Sequence, residues 1–138
     1  MKLSAHIMLA ALFWASAWAQ TKEVTVFDER VRISSFVELE YPLAARLKQA
    51  QGAVVVRVTL DANGKVTNAI GLSGPESLVA PAIANARLWQ FQTTTGPTAV
   101  LVYQFLIRGL CQQACRSQFL FTPPNLSTIT IGQAVINP

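Results

Sequence analysis

Few residues in this 138-residue chain are of a type that does chemistry. The single histidine is His6, and the two cysteines, Cys111 and Cys115, stand in the run Cys-Gln-Gln-Ala-Cys. A thioredoxin-like redox pair has two residues between its cysteines, where this run has three. Attachment of c-type haem needs a histidine after the second cysteine, and Arg116 stands there. Beyond His6 there is no imidazole for a Ser-His-Asp or Cys-His relay, or for a histidine-based zinc or iron site. The acids Glu23, Asp28, Glu29, Glu38, Glu40, Asp61 and Glu76 gather mostly toward the N-terminus. Several lie among Val24, Val26, Val31 and Ile33, the alternation of a half-buried strand, which favours a solvated strand or loop over a working carboxylate pair. The expectation is a protein with no catalytic residue, no metal site and no cofactor.

The first residues set the compartment. Lys2 is a minimal positive region, residues 7–14 (IMLAALFW) form a short apolar core, and Ala17 and Ala19 place small side chains where a signal peptidase reads. Residues 1–19 therefore read as a signal peptide, with Gln20 as the new N-terminus. The alternative is an uncleaved inner-membrane anchor, since the uncharged run 3–20 approaches the roughly 20 residues of a membrane span. Ser4, His6 and Ser16 dilute that run. An oxidising compartment outside the cytoplasm favours a structural disulfide between Cys111 and Cys115, closing a short loop with modest stabilisation. A redox or metal role for the pair is the lesser reading.

Cleavage leaves about 120 residues, one ordinary domain and too few for two. Charged residues are 13% and apolar ones 51%, enough material for a core and a poor composition for disorder. The basic residues Arg46, Lys48, Arg57, Lys65, Arg87, Arg108 and Arg116 never form a run of three, and no phosphate loop or aromatic RNA-binding motif accompanies them. Nucleic acid is not an expected partner.

The elements follow from periodicity. Tyr41 and Pro42 open LAARLKQAQG, in which Leu43 and Leu47 lie one turn apart and Gly52 stands at the stop of a short helix. Residues 53–60 (AVVVRVTL) alternate with Val54, Val56, Val58 and Leu60 on one face. Asp61, Ala62, Asn63 and Gly64 form a turn, and residues 65–72 return with Val66, Ile70 and Leu72 on one face, which predicts a hairpin. A second helix is expected to start near Val79, keeping Pro81 in its first turn, and to present Val79, Ala82, Ile83, Ala86 and Trp89 as a stripe. Residues 90–97 read as a loop. Residues 98–107 (TAVLVYQFLI) give the strongest strand signal in the chain. This order predicts an α+β fold, a small three-stranded antiparallel sheet with two helices on one face. Extra strands are expected in the N- and C-terminal extensions, residues 20–40 and 109–138.

Residues 41–108 resemble the C-terminal domain of the TonB family. The resemblance rests on Tyr41 and Pro42 with Ala44 and Ala45, Gly52 before the valine-rich strand, and the turn from Asp61 to Lys65 and Val66. Ser73 and Gly74 before Leu78, Ala82 and Ala86, then Trp89 and Phe91, complete it. It implies a periplasmic, energy-transducing protein-interaction domain that pairs with a short segment of a TonB-dependent outer-membrane transporter. Strand addition to a sheet edge is the matching physics. The candidate edge is residues 98–107, with Val100, Val102, Tyr103, Gln104 and Phe105 as partner-binding residues; for Phe105, Trp89 and Phe91 a core role is the stronger reading. Exposed edges would also permit a strand-exchanged homodimer.

The chain departs from a full transducer. It lacks a Pro-rich spacer to cross the periplasm, and it has Gln90 where relatives often carry a basic residue. It also continues past the domain through Phe119, Leu120, Phe121, Pro123 and Pro124 into the strand-like STITIGQAVI of residues 127–136. That last strand either blocks the edge or extends the sheet and presents a new one. The other readings are a structural or assembly component of the envelope without energy coupling, and a thiol oxidoreductase using Cys111.

Overall fold

The computed structural model describes residues 27–112 and 114–135. The expectations for the signal peptide, Gln20, Glu23, Val24 and Val26 lie outside the described residues. In chain order the elements are β1 (Ile33–Ser35), α1 (Leu43–Leu47), β2 (Gly52–Leu60), β3 (Val66–Ser73), α2 (Glu76–Ala86), β4 (Gln90–Phe91), β5 (Thr98–Cys111), β6 (Gln118–Thr122) and β7 (Leu126–Ala134). A single 3-10 turn, Thr93–Thr95, precedes β5.

The hairpin of β2 and β3 forms as its alternation predicts, and the chemistry of its turn is local. Asp61 Oδ1 accepts from the backbone N–H of Asn63 at 2.8 Å and of Lys65 at 2.9 Å. Gly64 sits at φ 78°, and a Cβ there would come within 2.0 Å of the Phe91 carbonyl oxygen. Phe91 N donates to Gly64 O at 2.9 Å, so this turn is docked against the chain just after α2 and no side chain fits between them.

Register shifts flank the middle of β3, and they correct the expected face of that strand. Ala69 and Gly71 oppose Val58 and Val56 on the helix side, while Ile70 and Leu72 remain partly exposed. Gly71 is needed here for another reason: a Cβ would lie 2.5 Å from Val79 Cγ1, so the glycine lets α2 approach the sheet.

Helix α1 follows the extended Pro42 and is shorter than the sequence suggests, because Gln49 turns into the left-handed region at φ 53°. Helix α2 begins at Glu76 after Pro75, three residues earlier than expected, so Pro81 lies in its second turn. The proline gives up the bond to the Ser77 carbonyl, which is tolerable because Ser77 is only half-buried. The earlier start rotates the buried stripe to Leu78, Ala82, Asn85 and Ala86, with Val79 and Ile83 packed at its border. The expected loop at 90–97 contains β4, which pairs with β1.

The sheet is five-stranded and mixed, in the order β3-β2-β5-β7-β6, rather than three-stranded and antiparallel. Strands β2, β3 and β5 make the antiparallel unit that was expected, and β7 adds to β5 in parallel while β6 returns antiparallel to β7. Alternation then fixes the faces. Val54, Val56 and Val58 of β2, Leu101, Tyr103 and Phe105 of β5, and Ile129 and Ile131 of β7 turn toward the helices and are buried. Each fully buried side chain of this size contributes roughly 1.5–3 kcal/mol. Trp89 and Phe91, both at 1% exposure, close the core beneath α2 as the sequence reading favoured.

Candidate functional site

An added strand needs an unpaired edge, and β5 does not offer one. It pairs with β2 from Thr98 to Phe105 on one side and with β7 from Val102 to Cys111 on the other. Side chains cap the stretch that β7 does not reach. Val100 N donates to Asp28 Oδ2 at 3.3 Å, and Val100 O accepts from Asn125 Nδ2 at 3.0 Å. The expected binding set of Val100, Val102, Tyr103, Gln104 and Phe105 therefore lies inside the sheet. The physical reason is concentration: the STITIGQA run is tethered to the same chain and takes the edge before any other strand can.

Two of those five side chains belong to the core. The Phe105 ring meets Tyr41 edge-on at 5.4 Å. Tyr103 is fully buried, and its hydroxyl donates to Asn85 Oδ1 at 2.9 Å, the same oxygen that accepts from Trp89 Nε1 at 2.8 Å. Asn85 Nδ2 in turn donates to the Val37 carbonyl at 3.0 Å. One amide thus ties α2, β5, Trp89 and the segment before α1 together.

Burial pushes the Tyr103 phenol well above its ordinary value. A raised folded pKa stabilises at every pH below the unfolded value of about 10 and is lost as pH rises beyond it. Melting temperature should hold steady up to that point and then fall, and Tyr103→Phe should flatten the fall while costing about 1 kcal/mol at neutral pH. Thermal melts of the two proteins on either side of pH ~10 check this. Equal alkaline losses would show that Tyr103 is not the group responsible.

The outer strands of the sheet are β3 and β6. The register shifts at the two ends of β3 kink its rim, the usual protection of an edge against further pairing. Strand β6 runs in unbroken register against β7 from Gln118 to Thr122, and its sequence QFLFT holds no charge and no proline. Among the described residues no strand pairs with its outer side.

Beside β6 lies a group of aromatic rings. Phe36 stands 5.7 Å from Phe119, 5.2 Å from Phe121 and 5.7 Å from Trp89, and Trp89 meets Phe121 edge-on at 5.6 Å. Phe36 and Val37 are each 43% exposed and Leu120 is 64% exposed. An exposed ring on half-buried aromatics, next to an edge with which no described strand pairs, is what a bound strand requires. Sequence reasoning had placed Phe119, Leu120 and Phe121 past the domain and assigned them no element. The signal that could have found them is the alternation Phe119, Phe121 facing the core-bound Ser127 and Ile129 across a Pro-Pro-Asn turn.

Cys111 and Cys115 form a disulfide, with Cα atoms 5.8 Å apart, linking the end of β5 to the approach to β6. Among the described residues there is no group of three or more His, Cys, Asp or Glu able to hold a metal ion, and no helix is long and apolar enough to cross a membrane.

Residues 37–105, half of the chain, match the family model described as the Gram-negative bacterial TonB protein C-terminal. No curated protein and no solved structure matches the chain.

Proposed function

Because the chain belongs to the family of Gram-negative bacterial TonB protein C-terminal domains, we propose that it is a periplasmic binding module that captures an envelope protein by adding the partner's extended segment to β6. Family membership supports the broad role of a protein-interaction module. The observation that carries the finer reading is the outer side of β6, unpaired among the described residues, uncharged, in even register and flanked by Phe36, Phe119 and Phe121. Backbone pairing would supply affinity and the aromatic set selectivity. A TonB-dependent outer-membrane transporter is the family's kind of partner, and its exposed peptide segment has the extended chemistry that β6 would accept.

The occupied rim of β5 favours a second reading, a structural or assembly component that holds an envelope partner without passing on energy. Both readings use the same edge, so one experiment addresses it. Leu120→Lys places a charge on the free edge at an exposed position, and Phe36→Ala removes the exposed ring. Each should weaken capture of the envelope partner by about tenfold or more with little change in melting temperature. A photoreactive residue at Leu120 should crosslink to that partner. Full capture by a folded Leu120→Lys protein would remove strand addition at β6.

A further inference from the structure

We propose that the disulfide end of the molecule docks on the surface of an anionic phospholipid bilayer. The three most exposed large apolar side chains among the described residues are Leu47 at 77%, Leu110 at 76% and Leu43 at 65%. Leu110 is far in sequence from Leu43 and Leu47, and the fold brings all three to one end of the sheet. Leu43 and Leu47 lie a turn apart on α1 and share a shallow groove with Arg46, Ile107 and Ala134. Leu110 pairs with Gln133, which lines the same groove. A second groove joins Leu43 and Arg46 to Cys115 and Arg116 across the disulfide.

The charge at this end has one dominant sign. Arg46 and Arg116 line the grooves beside Glu40, Lys48 lines an adjoining groove with Glu76, and Arg108 follows Ile107, four cations against two acids. Among the described residues the single ion pair joins Arg30 to Asp28, so none of these four cations is held in an ion pair with a described acid. Leucines that protrude singly between long basic side chains fit a bilayer interface. The leucines enter the boundary of headgroup and acyl chain, and the basic heads stay in the phosphate plane with their stems along it. A protein partner would instead want an enclosed pocket for an anchor, and an acidic peptide would leave the leucines uncovered. The disulfide, between Cys111 and Cys115, holds Leu110 and Arg116 close to each other. Docking by the strand ends leaves β6 facing sideways, so this surface is separate from the proposed partner edge and does not depend on it.

The test uses the full chain with vesicles of phosphatidylcholine, with and without phosphatidylglycerol, reading partitioning and hydrogen exchange together. Phosphatidylglycerol should raise partitioning by about fivefold for each engaged basic residue and slow exchange in residues 43–48 and 107–111. Arg46→Gln with Arg116→Gln should lower partitioning roughly 25-fold. Leu43→Ser with Leu47→Ser should abolish the slowed exchange while leaving the far-ultraviolet spectrum unchanged. Residues 1–26 are common to every protein compared, so differences among them read this end alone. Equal binding to both vesicle types, or exchange at residues 43–48 that vesicles leave unchanged, would overturn the proposal. So would a concentration-dependent dimer that the leucine substitutions dissolve, which would assign the surface to a second copy of the chain.

Discussion

Replacing Asn85 with alanine is expected to cost about 2–5 kcal/mol, from two buried donors left without an acceptor at ~1–3 kcal/mol each, less relaxation. Its Oδ1 is the acceptor for Trp89 Nε1 and Tyr103 OH, and its Nδ2 is the donor to the Val37 carbonyl. Trp89 and Tyr103 are displaced from water by the core, where an unpaired donor finds no substitute, whereas Val37 is partly exposed. Urea denaturation measures the loss. Asn85→Asp separates the parts: it keeps the acceptor for Trp89 and Tyr103 and removes the donor to Val37. A further consequence is functional, because the bond to Val37 positions its neighbour Phe36 over Phe119 and Phe121. Capture at β6 by the folded fraction should therefore weaken in both variants. A loss below about 1 kcal/mol for Asn85→Ala would mean that water reaches this network and that the amide does not organise it.

The same residue shows what the sequence could and could not convey. The valine alternation of β2, the Asp61 to Gly64 turn and the apolar run of β5 were legible, because each is encoded in consecutive residues whose period matches the element. Asn85 was not, since a polar residue in a helix reads as surface until the partners that satisfy it are known. The shift of its stripe came from Pro81. A proline inside a helix is read as a boundary, yet here the half-exposed Ser77 carbonyl gives up its partner and the helix continues. The face of β3 was misread because register shifts break the strict period of two on which the reading rests.

The location of the edge was the largest omission, and its cause is topological. A strand signal in residues 98–107 says that the segment pairs, without saying with what. The parallel partner β7 lies beyond a disulfide loop and an intervening strand, a non-local pairing that no periodicity announces. Once β7 takes that position, every residue chosen as a contact on β5 turns into core or interior sheet, and the free edge moves two strands outward to β6.

Whether β7 is a permanent strand or a strap that lifts decides between a module that binds only at β6 and one that can bare β5. Ile129 is the residue that distinguishes them. It is fully buried, opposite Phe105 on one side and Phe119 on the other, and it packs with Tyr103 and Phe105 in the single core beneath the helices. Ile129→Ala should cost about 2–5 kcal/mol, the range for removing a buried isoleucine side chain with partial collapse of the cavity. Because Ile129 and Ile131 share that core with β2 and α2, the loss should fall on the whole domain. Tryptophan fluorescence and far-ultraviolet circular dichroism should then give one coincident unfolding transition, shifted to lower denaturant. Partner capture per folded molecule should stay unchanged, since β6 keeps its edge. A strap would behave differently: the substitution would split unfolding into two steps, the first releasing residues 118–134. Capture would rise as the uncharged stretch of β5 from Val102 to Ile107 became a second edge, and that result would restore β5 as the binding strand, with its own tail as the competitor.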